Sequence, residues 1–404
     1  MAARGIRGIS EGRIRVGRSS VVGVAKLTER CGHRVREDQG FVIRHYLLHM
    51  PIDGKPVKGR GAEEQVRNRF LRQQYGVVHW EGIDVPDDPH QVTRFIETFP
   101  KTIVNQVRSP DLPFARSMNP YQGCEHGCSY CYARPTHEYW GYSAGLDFEQ
   151  IVLVKRNAPE LLVRTLQAPS WRPEPIMIAG ATDPYQPVER KEGLTRKLLQ
   201  VLSAHRHPAG VITKNALILR DVDLLGEMAE LGLVSVAISL TTMNEDLRRK
   251  MEPRTSTTVQ RLRAIRTLAD AGIPVRAMIA PVIPALNDKE IPALLEAAAE
   301  AGARAAGYTV LRVNGAVKDV FVRWLRTHLP DRAAKVIAQT SMAHGGSLAD
   351  ARSGRRMRGE GAFAENIADV FRIFSQRYFQ RRFMPELDRS RFQRPTGGQL
   401  DLFN

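Results

Sequence analysis

The chain has 404 residues, a formal net charge of +16, 43% hydrophobic and 25% charged residues, and only four cysteines. That length holds one large core or two modest ones; so little cysteine excludes a disulfide framework and points to a reducing, cytosolic setting. No apolar run reaches the ~18 residues of a membrane span or follows a charged start as an export signal does, and the charge favours nucleic acid or another anionic surface while leaving the fold open.

Residues 1–45 are rich in Gly and Arg with weak periodicity and read as a basic, flexible arm. Residues 46–118 alternate turns with short β-prone pieces, "YGVVHWEGI" and "KTIVNQ", and read as an irregular lead-in packed on the main body of the protein. From Asn119 the texture changes. The strand-like runs "EPIMIAG", "AGVITKN", "LVSVAISL", "IPVRAMIAPVIP" and "RAAGYTVLRVN" alternate with the helical stretches "RKEGLTRKLLQVLSAH", "LRDVDLLGEMAELG", "TVQRLRAIRTLADAG" and "KEIPALLEAAAEAG". Such alternation implies parallel βαβ units with both sheet faces covered, in a barrel or an open α/β sheet, over a core at 119–330. Ligands in these folds gather at the C-terminal ends of the strands.

Just ahead of that series stands "NPYQGCEHGCSYCYARP", with Cys124, Cys128 and Cys131. Three thiolates at this spacing can wrap one iron–sulfur cluster and leave one iron free. A structural zinc ion would want a fourth ligand, for which His126, His137 and the distant Cys31 are candidates. Spacing alone leaves both readings open. Gly123 and Gly127 let the backbone turn tightly around either guest.

The CxxxCxxC pattern, with Tyr130 before its last cysteine and an α/β series behind it, resembles the radical S-adenosylmethionine enzymes. Within them, "GATDPYQPVE", "ITKN" with "LRDVDLL", and "ISLTTMNEDLRRKMEPRT" resemble the branch related to spore photoproduct lyase; the lead-in "KGRGA" and the cysteine loop resemble a bacterial subgroup of it. The resemblance covers about half the chain. It implies a partial (β/α)6 barrel, an α/β fold carrying here an N-terminal extension and a basic, partly helical C-terminal region. It also implies a [4Fe–4S] cluster on Cys124, Cys128 and Cys131, S-adenosylmethionine on the open iron, Tyr130 against the adenine, and a 5′-deoxyadenosyl radical after one electron from a low-potential flavodoxin or ferredoxin.

Further positions come from the strand ends. Ala181, Thr182 and Asp183 come after "PIMI", where the resemblance implies contact with the cofactor's amino group; Asp183 before Pro184 also suits a plain turn. Lys214 reads as a partner of the methionyl carboxylate or of a substrate phosphate, or as a salt bridge to Asp183 or Glu189. The branch implies that Ser239, Glu252 and Arg254 hold ribose and carboxylate, while "MEPRTST" also reads as a helix entry capped by Thr255 or Ser256. The lyase of this branch relies on a cysteine after its cluster loop to return a hydrogen atom. No cysteine follows Cys131 here, so either Cys31 or a tyrosine such as Tyr185, Tyr308 or Tyr378 supplies the hydrogen, or the reaction ends differently.

Residues 331–395 are rich in arginine, and Arg355, Arg358, Arg377, Arg381 and Arg382 are candidate phosphate contacts. Ile367, Val370, Phe371 and Phe374 form a helical stripe expected to pack on the barrel. The tail at 396–404 holds "QLDLF" after Gly397–Gly398 and resembles the peptide that hooks the bacterial sliding clamp, with Gln399, Leu400, Leu402 and Phe403 as its contacts. The expected function is a radical enzyme on DNA, in repair or base modification, cytoplasmic with possible nucleoid association, and with no membrane contact. A radical enzyme for RNA or a peptide, and a non-catalytic iron–sulfur protein on nucleic acid or clamp, are the alternatives.

Overall fold

Short runs of branched and small apolar residues make the strands, and every second residue of each run faces a layer of helices. A computed structural model describes residues 59–62, 64–71 and 92–395. The expected arm at 1–45, Cys31, the piece "YGVVHWEGI" and the whole tail lie outside the described residues.

The strands are β1 (Arg94–Thr98), β2 (Val104–Gln106), β3 (Arg116–Met118), β4 (Tyr121–Gln122), β5 (Ile151–Lys155), β6 (Ile176–Ile178), β7 (Ala209–Thr213), β8 (Val234–Ser239), β9 (Val275–Val282) and β10 (Ala305–Val310). The longer helices are α1 (Ala158–Gln167), α2 (Leu194–Ala204), α3 (Val222–Glu230), α4 (Glu245–Met251), α5 (Thr258–Asp270), α6 (Ile291–Glu300), α7 (Val317–His328), α8 (Pro330–Met342) and α9 (Gly361–Phe379). The main sheet has the order β10-β9-β8-β7-β6-β3-β2. Its strands from β10 to β3 are parallel, and β2 closes one edge antiparallel to β3. A small sheet β1-β5-β4 stands beside it.

This is the partial (β/α)6 barrel expected from the resemblance, with one difference. Ile176, Ile178, Val236, Ile238, Ala277 and Ile279 are almost wholly buried against the helices, each large side chain contributing roughly 1.5–3 kcal/mol of burial. The alternate residues Met177, Ala237 and Met278 are only half-buried. Helices therefore cover one face, and the other is the concave wall of an open barrel. Leu198, Leu199 and Leu202 bury the stripe of α2, and Ile367 and Phe371 bury that of α9 in the same core. The entry to α5 is capped by Thr257 in a box with Gln260, one or two residues beyond the expected Thr255 or Ser256. Those two side chains are engaged elsewhere, Thr255 with Arg248 and Arg261 and Ser256 with Asn215.

After α9 the chain runs back beneath the barrel and donates to the carbonyl ends of successive helices. Arg382 Nη1 reaches the Ala299 and Ala303 oxygens at 2.7 and 3.0 Å after α6. The Asp388 N–H reaches Gly232 O after α3 at 2.9 Å, and the Gln393 N–H reaches His205 O after α2 at 3.0 Å. Arg394 reaches Leu166 O and Ala168 O at the end of α1. Cations and N–H donors there meet the negative end of each helix dipole. Arg382, read as a phosphate contact, thus holds the end of α6 through Nη1 while the residue itself stays exposed.

The same strap seals His207 beneath Phe392, ring centroids 5.5 Å apart. The Trp171 indole N–H donates to Nε2 at 3.1 Å, and Nδ1 stands 2.9 Å from Pro208 O. Burial pushes the imidazole down to about 4, below the ~6.5 of an unfolded chain. The unfolded chain therefore takes the proton first, so the contribution of neutral His207 is complete above pH ~6.5 and is lost as pH falls toward 4. Between pH 7 and pH 5 we expect this residue to remove about 2 kcal/mol of stability. Urea unfolding at the two pH values, wild type against His207→Asn, checks it; an equal pH dependence in both proteins would contradict it.

Candidate active site

The cysteine loop is built between β4 and the short helix Asp147–Gln150. Asn119, at the top of β3, accepts the N–H groups of Ala181 and Thr182 at 3.0 and 3.3 Å, tying the loop to the end of β6. The Cys124 N–H donates to Phe148 O at 2.7 Å and the Ser129 N–H to Met251 O at 3.0 Å. Gln186 brackets the first turn, donating to Gly123 O at 3.1 Å and accepting from the Glu125 N–H at 2.9 Å. Gly123 and Gly127 both have positive φ, +81° and +65°, and a Cβ on Gly127 would stand 2.6 Å from Glu149 Oε2.

Beneath the loop lies a buried ion pair. Arg134 donates to Cys128 O at 2.8 Å, to Ala144 O and Gly145 O, and pairs with Glu149 at 2.5 Å, both side chains 0% exposed. Glu149 also accepts the N–H groups of Gly61 and Ala62 at 3.0 and 2.8 Å. Here lies the reason for "KGRGA" in the lead-in. Gly61 presses on the carbonyl of Gly127, where a Cβ would collide.

A second buried node stands at the ends of β7 and β8. Glu252 accepts hydrogen bonds from Tyr130, from Thr241 Oγ1 at 2.6 Å and from Arg261, and pairs with Lys214 Nζ at 3.2 Å. Burial alone would raise its pKa, but the charges of Arg261 and Lys214 with the Thr241 and Tyr130 hydroxyls hold it well below the carboxylate range. Asp183 receives Thr213 Oγ1 at 2.6 Å, the Lys214 N–H at 2.7 Å and the Tyr185 N–H at 2.9 Å. It also lies 3.4 Å from His126 Nδ1. Burial opposes its charge and His126, Thr213 and Lys214 restore it, so it too stays below the usual range.

The thiols of Cys124 and Cys128 are buried and that of Cys131 is half-buried, all free. Burial pushes each of them up, Asp183 adding to Cys124 and Glu252 to Cys128. Lys214 and Arg134 act in the other direction, so the surrounding cations favour thiolates once iron shares their charge. The Ser129 hydroxyl is buried with no partner among the described residues and offers a donor to what the loop encloses. Among the described residues no group of three His, Cys, Asp or Glu side chains surrounds a single ion; thiolates that each take a different corner of a cubane stand further apart than ligands of one ion. His126 is engaged through both ring nitrogens, with Asp183 and with Asn215 at 3.2 Å. His137 lies behind Gly123, stacked on Tyr142 at 5.1 Å and edge-on to Phe148. His126 is therefore not offered as a fourth ligand. Three thiols at the strand ends of an open barrel fit a cluster with one free corner.

Comparison with known proteins agrees. The profile described as Radical SAM superfamily matches residues 118–298. An uncharacterized protein of Mycobacterium tuberculosis is 37% identical over 244 residues, 60% of this chain and 72% of that one. The chain belongs to the radical SAM superfamily. An uncharacterized protein of Methanocaldococcus jannaschii is 30% identical over 190 residues, 47% of this chain and 68% of its own. A solved spore photoproduct lyase with bound AdoMet and dinucleoside spore photoproduct shares the fold at a TM-score of 0.52 and 17% identity, covering 71% of this chain and 80% of that one. As a radical SAM enzyme the protein uses a [4Fe–4S] cluster and S-adenosylmethionine.

The radical SAM core gathers some expected residues and disperses others. Tyr130, Lys214 and Glu252 share the second node, and Ser239 ends β8 beside it, its carbonyl accepting from Arg261 at 3.0 Å. Lys214 pairs with Glu252 in place of the expected Asp183 or Glu189, and meets Asp183 only through its backbone N–H. Thr182 Oγ1 leans on Tyr121 O at 3.5 Å. Asp183 accepts from the Tyr185 N–H two residues on, as a turn former does, and from Thr213 and Lys214 as well. Arg254 is exposed, and its N–H donates to His126 O at 3.3 Å.

The tyrosines expected to donate hydrogen need correction. Tyr185 is fully buried in the helix-side core, its hydroxyl donating to Asp221 at 3.0 Å. Tyr308 faces the helices, 4.5 Å from the ring of Phe371. Tyr378 lies on α9 beside Phe374. None of the three faces the concave wall. Arg377 sits over Tyr378 at 5.5 Å, and Arg381 follows α9 with a positive φ of 65°, both at the end where the strap begins. Arg355 pairs with Glu360, and Arg358 covers the Tyr308 ring at 4.1 Å. Sequence reading missed Arg134, Glu149 and Arg261, whose partners are distant in the chain or carry no motif.

Proposed function

We propose that this radical SAM enzyme acts on DNA, in repair or base modification. The observation that carries the reading is a three-thiol loop at the strand ends of a barrel whose concave wall carries no helices, in a chain of net charge +16; the charge draws an anionic polymer. The bound dinucleoside spore photoproduct of the fold neighbour supports the same substrate class. So does "QLDLF", read as a clamp-binding tail through Gln399, Leu400, Leu402 and Phe403.

Cluster and cofactor supply one-electron reductive cleavage of a sulfonium, a source of radical chemistry at carbon, with the electron drawn from a flavodoxin or ferredoxin. The chain's own residues position and insulate. Arg134 and Glu149 hold the loop from below. Glu252 fixes the Tyr130 phenol and the Lys214 ammonium, so the ring and the cation are oriented before any ligand arrives. Asp183, His126 and Asn215 lock the ends of β6 and β7 against the loop. A target atom within a duplex base requires an extruded or mispaired nucleotide.

Anaerobically reconstituted protein incubated with damaged and undamaged DNA, with RNA and with peptides tests the proposal. We expect DNA to raise 5′-deoxyadenosine formation and to yield a nucleoside of altered mass. Stimulation and product from RNA or peptide alone would overturn it.

A further inference from the structure

The two edges of the open sheet, β2 and β10, are bridged across the concave side. Residues 348–357 run along the free edge of β10 and its continuation: the Val310 N–H donates to Met357 O at 2.9 Å and the Val313 N–H to Leu348 O at 2.9 Å. From this cover the Gly354 N–H reaches Asp111 Oδ1 at 2.6 Å, and Arg356 pairs with Asp111 Oδ2 and donates to Ser109 Oγ. Ser109 and Asp111 belong to the turn joining β2 to β3, at the opposite edge. One ion pair thus latches the barrel's open side.

Beside the latch stands Arg312, at the C-terminal end of β10. It is half-buried and has no ion-pair partner among the described residues; its Nη1 donates to Arg356 O at 3.2 Å and to Met357 Sδ at 2.9 Å. Burial first, then the like charge of Arg356, pushes its pKa down, while Tyr132, Asp111 and Asp350 act the other way. An unpaired, partly desolvated guanidinium is costly unless an anion arrives. Tyr132 follows Cys131 directly and is 64% exposed, so an aromatic face stands beside the thiol loop.

We propose that this seam binds a backbone phosphate of a nucleic-acid strand, Arg312 and Arg356 gripping the phosphate and Tyr132 stacking on an adjacent base, with Asp111 holding Arg356 until the phosphate displaces it. Paired guanidinium forks suit phosphate oxygens, and base–aromatic stacking contributes about 1–3 kcal/mol per base. The inference rests on the nucleic-acid reading above and moves the phosphate site from the α9 end to the barrel mouth.

A fluorescein-labelled short single-stranded DNA, titrated by anisotropy into holoprotein at several salt concentrations, tests it. Arg312→Gln should lower the slope of log K against log salt by about 0.7, the share of one phosphate, while Arg312→Lys keeps it. Arg377→Ala with Arg381→Ala should leave the slope as in wild type. Asp111→Asn, which removes the competing carboxylate, should tighten binding several-fold. Wild-type binding with a slope untouched by Arg312→Gln, a slope lowered instead by the α9-end pair, weaker binding by Asp111→Asn, or equal competition from a polyglutamate peptide would overturn the seam alone. No DNA binding by the wild type at any salt would overturn the seam and the nucleic-acid reading together.

Discussion

Cys128→Ala protein, reconstituted anaerobically with iron and sulfide, is expected to retain no [4Fe–4S] cluster and to form no 5′-deoxyadenosine. On the proposed ligation by Cys124, Cys128 and Cys131, losing one thiolate leaves two irons without protein ligands in place of the single open corner. The fold should survive. Alanine removes one sulfur atom, and the Cys128 carbonyl stays gripped by Arg134 at 2.8 Å. Far-ultraviolet circular dichroism and the urea midpoint should therefore stay close to wild type while iron content collapses. Cys31→Ala, by contrast, should load normally, because the fourth corner belongs to S-adenosylmethionine. A Cys128→Ala protein that keeps its iron and cleaves the cofactor would overturn the ligand assignment.

The largest stability effect is expected at Glu149. Its carboxylate and the Arg134 guanidinium are both 0% exposed, and it also takes the N–H groups of Gly61 and Ala62. Glu149→Ala leaves a buried guanidinium uncompensated and two buried amides orphaned. Breaking a buried pair in this way costs about 3–5 kcal/mol, a large part of the 5–15 kcal/mol that holds a typical domain together. Because Arg134 carries the Cys128 carbonyl, the damage should spread to the loop and lower iron loading as well. Glu149→Gln keeps an acceptor for one amide and should lose less. Urea titration with parallel iron analysis checks both; a Glu149→Ala midpoint within ~1 kcal/mol of wild type would mean that the pair does not support the loop.

The parts legible in the sequence were those written in local pattern. The period of two in "LVSVAISL" and the i, i+4 stripe of "LTRKLLQVLSA" fix β8 and α2 because burial on one face leaves little choice of register. The cysteine spacing marks the thiol loop because three ligands must fit one loop. What stayed hidden depends on contacts across the chain. Glu149 lies 88 positions from Gly61 and Arg134 only 15 from Glu149, yet neither separation leaves a periodic trace. The arginine-rich run is hard to read for a related reason. Arg382 looks like a phosphate contact in a basic run, and only the fold brings the end of α6 beneath it. Tyr308 follows a strand period whose sign, toward helices or toward the lumen, depends on which face the helices cover.

The most direct measurement of the central claim follows an atom. Reconstituted protein is supplied with S-adenosylmethionine, a low-potential reductant and DNA whose nucleosides carry deuterium at carbon, and the 5′-deoxyadenosine is collected for mass analysis. Hydrogen abstraction from nucleic acid at this site predicts deuterium in the 5′-deoxyadenosine, lost in Cys128→Ala. Cofactor cleavage with no deuterium from any labelled DNA, or no cleavage by a protein bearing a full complement of iron and sulfide, would contradict it.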